Sequence, residues 1–288
     1  MPALRVLTLL TLTLPLLWGC GAGRGLTMRG ELAGAQHWQG RIYIQGDVVI
    51  PPGASLEIDP GSEVLFLPPG ADDLYREHPH FPGSELIVRG TLRAEGTKDA
   101  PIRFAAADPA AAPGSWGGIN LQQSPSASFR FCHFSQADSA LHSQESEVYV
   151  EDSVFADNLV GIRFHTSRIL IENNLLHRNG VAIRFHFGAP VICHNDIRDN
   201  DKGFFITAHP RDYHIEGNRI AGNREANIVL GEEVPENVAL PRNDWGTTDL
   251  EAIAGSFFDG RRVDYLGRIE FLPLAPVARS VEVPRCSR

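Results

Sequence analysis

Four segments of this chain succeed one another at a step of 21 residues: Ala140-Leu141-His142-Ser143-Gln144, Gly161-Ile162-Arg163-Phe164-His165, Ala182-Ile183-Arg184-Phe185-His186 and Gly203-Phe204-Phe205-Ile206-Thr207. A fifth, Asn227-Ile228-Val229-Leu230, follows after 24. Apolar residues recur at every second position, the period of a strand and not of a helix. A unit this short cannot bury its own apolar face, so consecutive units must stack and share a core.

Two further strand-like runs lie between successive segments, as in Ile169-Leu170-Ile171, the turn Glu172-Asn173-Asn174, then Leu175-Leu176 before Asn179-Gly180. Each repeat therefore reads as one rung of three strands with polar turns. Aligning the repeats exposes two polar columns: Ser153, Asn174, Asn195, Asn218 and Asn243, and then Asn158, Asn179, Asn200 and Asn223. Asparagine tolerates the left-handed conformation of a tight turn, and its amide reaches an identical amide one strand spacing away, ~4.8 Å. Residues that merely favour turns have no reason to keep register. Ile169-x-Ile171-x-x-Asn174 also satisfies the core of a leucine-rich repeat, but the rest of the unit adds a further strand where that fold places a helix or an extended turn.

On these residues the chain resembles the right-handed parallel β-helix family, from its first rung to Trp245. Val48-Val49-Ile50-Pro51-Pro52-Gly53-Ala54-Ser55-Leu56-Glu57-Ile58-Asp59-Pro60-Gly61 is similar to the opening rung of many secreted members, and Leu86-Ile87-Val88-Arg89-Gly90-Thr91-Leu92-Arg93-Ala94 to the second. Ser115-Trp116-Gly117-Gly118-Ile119 and Asn243-Asp244-Trp245-Gly246-Thr247 are similar to segments of bacterial β-helix proteins of unassigned role. The resemblance implies an all-β, right-handed, single-stranded parallel β-helix with three strands per rung of roughly 21–24 residues over 41–247. It is nearly silent on function.

Residues 1–19 read as an export signal: Arg5, an apolar run from Val6 to Leu17, then Leu17-Trp18-Gly19-Cys20. The run is too short for a comfortable membrane span. It resembles a bacterial lipobox, in which Cys20 becomes the lipidated first residue, although Trp18 departs from the small residue usual there. Gly21 after the cysteine then implies the outer membrane, with plain secretion or a periplasmic location as the alternative. Residues 20–40, rich in glycine, suit a tether between lipid and coil. A formal charge of −9 without a basic tract argues against nucleic acid as a partner. No internal linker divides the chain, and one elongated domain, a monomer, is expected.

Over 248–288 we expect a C-terminal cap and tail. Thr248-Asp249-Leu250-Glu251 matches a capping box ahead of Ile253, Phe257 and Phe258, so a short amphipathic helix should cover the last rung. Arg268 to Leu272 can add one more strand. The remaining cysteines are Cys132, Cys193 and Cys286. Cys132 falls in the Ser153 and Asn174 column and Cys193 in that of Glu151, Glu172 and Glu216, about three rungs or ~14 Å apart and beyond disulfide reach.

The resemblance places the Asn turn between the second and third strands, which assigns the Ile-x-Phe segments to the first sheet, where related polysaccharide lyases carry their active sites. Strand alternation points Ile162, Phe164, Ile183 and Phe185 inward and Arg163, His165, Arg184 and His186 outward. One face then reads Asn120, His142 with Gln144, Arg163 with His165, Arg184 with His186, and Phe205 with Thr207. Planar guanidinium forks suit the carboxylates or sulfates of an extended polyanionic carbohydrate. The competing reading is a solvated ladder whose arginines pair with nearby acids. The insertions Leu67–Gly83 and Ala105–Ser115 should emerge beside this face. Asp72, Asp73, Glu77, His78 and His80 in the first match no defined metal site and read as an acidic loop.

Lyases of this fold combine an Arg or Lys base with carboxylates, and hydrolases need paired acids. The outward first-sheet positions offer Arg and His but no Asp or Glu, which disfavours both. Cys132-His133 and Cys193-His194 invite a metal-handling reading, because another exported relative handles copper in nitrous oxide reductase maturation. His133 and His194 fall in different columns, however, and no metal or cofactor is assigned. The expectation is a noncatalytic binding or structural module, with a polysaccharide lyase or glycoside hydrolase using the same face as the alternative and a periplasmic metal-handling protein as the lesser one.

Overall fold

The computed structural model describes residues 25–69 and 81–275. Cys20, Cys286 and the Asp72 to His80 loop lie outside the described residues. The short strands pair in parallel, each with its equivalent one rung away, and form three sheets along the coil. The first sheet holds the Ile-x-Phe strands, among them Ala137–Gln144, Val160–His165, Val181–His186, Lys202–Ala208 and Ala226–Glu233. The second runs through eight strands from Ala35–Trp38 to His214–Glu216. The third includes Val154–Ala156, Leu175–His177 and Asp196–Arg198. The long strand Arg41–Ile50 turns the corner between third and first sheets, pairing with Glu63–Phe66 over one half and with Glu85–Val88 over the other.

Register sets like upon like in the core. Ile162, Ile183, Phe204 and Ile228 are successive partners, as are Phe164, Phe185, Ile206 and Leu230, and all are buried. Phe164 stacks on Phe185 with ring centroids 5.0 Å apart, and Phe104, Phe134 and Phe155 form a second stack at 4.9 and 4.4 Å. Offset stacking adds to the burial of each ring.

Both asparagine columns form ladders, buried except at Asn223, but their geometry differs from the turn-former reasoning. The left-handed residue is the one before each ladder position: Asp152, Asn173, His194 and Arg242 ahead of Ser153, Asn174, Asn195 and Asn243. That corner residue points to solvent and has no fixed chemistry. The ladder residue itself turns inward, where its amide is fully used. Asn195 Oδ1 accepts from the Asn174 main-chain N–H at 2.9 Å and from Asn174 Nδ2 at 3.0 Å. Asn195 Nδ2 donates to the carbonyls of Ile171 and Cys193. The column extends back through Ser153 to Cys132, whose N–H donates to Ser153 Oγ. A third ladder, unanticipated from sequence, joins Ser124, Ser146 and Ser167 between the first and second sheets.

Residues 26–38 do not belong to the expected tether. Leu26–Glu31 and Ala35–Trp38 are strands paired with Arg41–Ile50 and Ser55–Ile58, so the coil begins before residue 41. The glycines that suggested a linker are corners instead: Gly30, Gly34 and Gly40 all have positive φ. At the other end the helix Leu250–Gly255 forms as expected, but its N-cap is Asp249 and not Thr248; Asp249 accepts from the N–H groups of Glu251 and Ala252. Behind it Trp245, Phe257 and Phe271 meet edge to face and close the core. Ile269–Glu270 supplies the added strand.

If the buried amides fix the register, Asn195→Ala should cost about 2–5 kcal/mol in denaturant unfolding, since it strands donors and acceptors on both neighbouring rungs. Asn173→Gly, at the left-handed corner beside the same ladder, should stay within about 1 kcal/mol of wild type. Equal costs at the two positions would contradict this assignment.

Candidate functional site

Strand alternation and a bulge build a cleft of about 380 Å³ on the outer surface of the first sheet. His142, Gln144, Arg163, His165, Arg184 and His186, the six residues singled out from sequence, all line it, together with Phe205, Thr207 and Glu233. Arg163 and Arg184 are register partners on adjacent strands. Each guanidinium lies against an aromatic ring, Arg163 at 5.5 Å from the Phe81 centroid and Arg184 at 5.1 Å from that of Phe205. These platforms restrain the planar heads while leaving their N–H forks to a ligand.

Among the described residues neither guanidinium has a carboxylate oxygen within ion-pair distance. The arginines on the other surfaces behave differently: Arg41 pairs with Glu63, Arg130 with Asp152, Arg178 with Asp157, and Arg242 with Glu216. Burial presses the Arg163 pKa downward, and the neighbouring Arg184 adds to that pressure. An anion bound between them would offset their mutual repulsion and favour the charged form.

The histidines are oriented by their neighbours. His165 and His186 stack with centroids 5.2 Å apart, and the exposed ring of Phe187 meets the edge of both. Thr207 donates its hydroxyl proton to the Phe185 carbonyl, so its oxygen accepts from His186 Nδ1–H at 3.2 Å, and His186 Nε2 faces Glu233 at 3.9 Å. Thr207 is the extra residue of a bulge against the preceding strand, where Phe185 is opposite Ile206 but His186 is opposite Ala208, and the next strand bulges in turn, with Leu230 opposite Ile206 but Glu233 opposite Ala208. This irregularity brings Gly231, Glu232 and Glu233 to the end of the cleft.

The expectation that the outward first-sheet positions carry no Asp or Glu is corrected. Glu85 starts the strand Glu85–Val88 and is fully buried, and Asp138 lies on the strand Ala137–Gln144. Asn120 Nδ2 donates to Glu85 Oε2 at 2.6 Å, and Asn120 Oδ1 lies 2.9 Å from His142 Nδ1. A polar chain thus runs from a buried carboxyl through an amide to a cleft histidine. Gly117 makes room for it, because a Cβ there would collide with the Glu85 side chain. Burial pushes the Glu85 carboxyl up to about 9, with Asp47 and Asp138 adding repulsion and the Asn120 bond opposing them. Sequence reasoning missed it because the insertion ahead of this strand breaks the 21-residue step.

A carboxyl neutral in the folded chain and ionised in the unfolded one binds its proton more tightly when folded, so stability falls as pH rises from about 4.5 toward 9. Glu85→Gln keeps an acceptor for Asn120 and removes the titration. Its stability relative to wild type should rise across that window in denaturant unfolding at stepped pH. A difference independent of pH would show that Glu85 is ionised in the fold.

Residues 113–238 match the family model described as the right handed beta helix region. No curated protein and no solved structure matches the chain. Parallel strands in register carry the coil beyond the matched segment on both sides, from Leu26 to Phe258. The chain has the fold of a right-handed parallel β-helix, and residues 113–238 carry the match to that repeat family.

Proposed function

We propose that this chain is an exported, lipid-anchored module of the bacterial outer membrane whose first-sheet cleft holds an extended polyanionic carbohydrate without cleaving it. The observation that carries the reading is the pair of half-buried guanidiniums, Arg163 and Arg184, side by side with no carboxylate oxygen within ion-pair distance among the described residues, Asp138 acting on Arg163 only from farther away. In a chain of net charge −9, whose other arginines mostly have acids beside them, two such cations mark a place for a ligand's anions. Their separation of one strand spacing, ~4.8 Å, is near the length of one sugar unit, so successive charged sugars can meet successive rungs. The aromatic platforms and flanking histidines add the stacking and hydrogen bonding that sugars use. The leader and lipobox-like Leu17-Trp18-Gly19-Cys20 support the anchor.

Lyase activity is the second reading, favoured by the Glu85, Asn120 and His142 chain that ends beside Arg163. Incubation of the mature protein with a panel of uronic-acid polymers separates the two. Binding that weakens with salt, and at least about tenfold for each of Arg163→Ala and Arg184→Ala, is expected, with no unsaturated-product absorbance. Product formation lost in His142→Gln would replace the binding module with a lyase, and binding unchanged in the double arginine variant would remove the cleft from either role. Cys20→Ser should shift the protein from the membrane pellet to the soluble fraction; retention in the pellet would rule out the anchor.

A further inference from the structure

A second cluster stands at the corner between the second and third sheets. Glu172 ends the strand Arg168–Glu172, Cys193 ends Val191–Cys193 one rung later, and the two are register partners. His194 follows at a corner with φ of 59°, and this left-handed turn brings its ring back toward the earlier rung. Its Nδ1 lies 3.2 Å from Glu172 Oε1, and one donor atom from each of the three residues lies within 4.8 Å of the others. Tetrahedral zinc, with ligand bonds of about 2.0–2.3 Å, needs edges between donors of roughly 3.3–3.6 Å. The imidazole to carboxylate edge already has nearly that length, and the side chains of both are exposed enough to adjust.

Two features separate this corner from its neighbours. The corner acids Asp152 and Asp157 and the strand-end Glu216 are held by Arg130, Arg178 and Arg242, whereas among the described residues no Lys or Arg pairs with Glu172, which meets the His194 ring instead. In the next rung the position equivalent to His194 is Gly217, where a Cβ would crowd the ring at 3.1 Å from Cδ2. The ring therefore lies over a site kept free of side chain.

We propose that Glu172, Cys193 and His194 form a solvent-facing site for a zinc-class divalent ion, with water in the fourth position. Sulfur, imidazole and carboxylate together select borderline-soft ions over calcium or magnesium. One rung supplies the carboxylate and the next supplies the thiolate and imidazole, so a bound ion staples two rungs. The site lies outside the first-sheet cleft, and its occupancy and glycan binding fail separately.

Titration of the full chain with Zn²⁺ by calorimetry, and with Co²⁺ by absorbance, tests this site. Wild type should bind one equivalent, with a near-ultraviolet thiolate-to-cobalt band that Cys193→Ser abolishes while the other cysteines remain. His194→Ala and Glu172→Gln, both at solvent-accessible side chains that leave the core intact, should weaken binding at least about tenfold. Calcium should not compete. A band that persists in Cys193→Ser, affinity undiminished in His194→Ala, or no binding by wild type would each overturn the site.

Discussion

Each buried amide of the Asn174 ladder bonds the main chain of the rung before it, so a rung shifted by one residue would lose those bonds and turn its apolar face outward at once. Parallel strand pairing alone allows such slippage, because its main-chain bonds are evenly spaced along the strand. The inward amides remove that freedom. Desolvation makes the lock strong: a misplaced Asn195 would bury donors and acceptors with nothing to meet. The stacked Phe164 and Phe185 act in the same direction, since their rings overlap in one register.

Because the ladder carries the register, positions outside it are released from structural duty. The left-handed corners accommodate Asp152, His194, Arg178 and Phe187 alike, although none of these types is favoured there as glycine is. Outward strand positions are equally free. Both candidate sites use this freedom: Arg163 and Arg184 stand on an outward column, and His194 on a corner. A solenoid places equivalent positions one strand spacing apart, so any two adjacent rungs can present a pair of groups at ligand or metal distance.

What was legible in the sequence follows from the same division. The core of Ile162, Phe164, Ile183 and Phe185, the asparagine columns and the cationic face could all be read, because identical residues recur at an identical step. The column shared by Glu172 and Cys193 was visible too, but the return of the His194 ring depends on a dihedral angle that no residue type signals. Strands Leu26–Glu31 and Ala35–Trp38 were hidden by their glycines, which composition reads as a linker and geometry uses as corners. Glu85 and Glu233 were hidden for another reason. One follows an insertion and the other a bulge, and each breaks the count of 21 that aligned everything else.

The sign of the cleft depends on that hidden carboxyl. An ionised Glu85 would put a negative charge at the buried end of the chain through Asn120 to His142, in a poorly solvated region where a unit charge acts more strongly than in water. It would offset the field that an anionic ligand meets. Burial beneath Gly117, with Asp47 and Asp138 nearby, instead holds the proton on Glu85, and the polar chain through Asn120 orients His142 without adding negative charge. The exposed acids at the bulge, Glu232 and Glu233, sit at the opposite end from Glu85, near His186 and Thr207. The cleft is thus divided along its length into a cationic stretch and an acidic end. A charged chain entering it meets attraction over the arginine rungs and repulsion at the bulge, which favours one placement of a polyanion over its slipped alternatives.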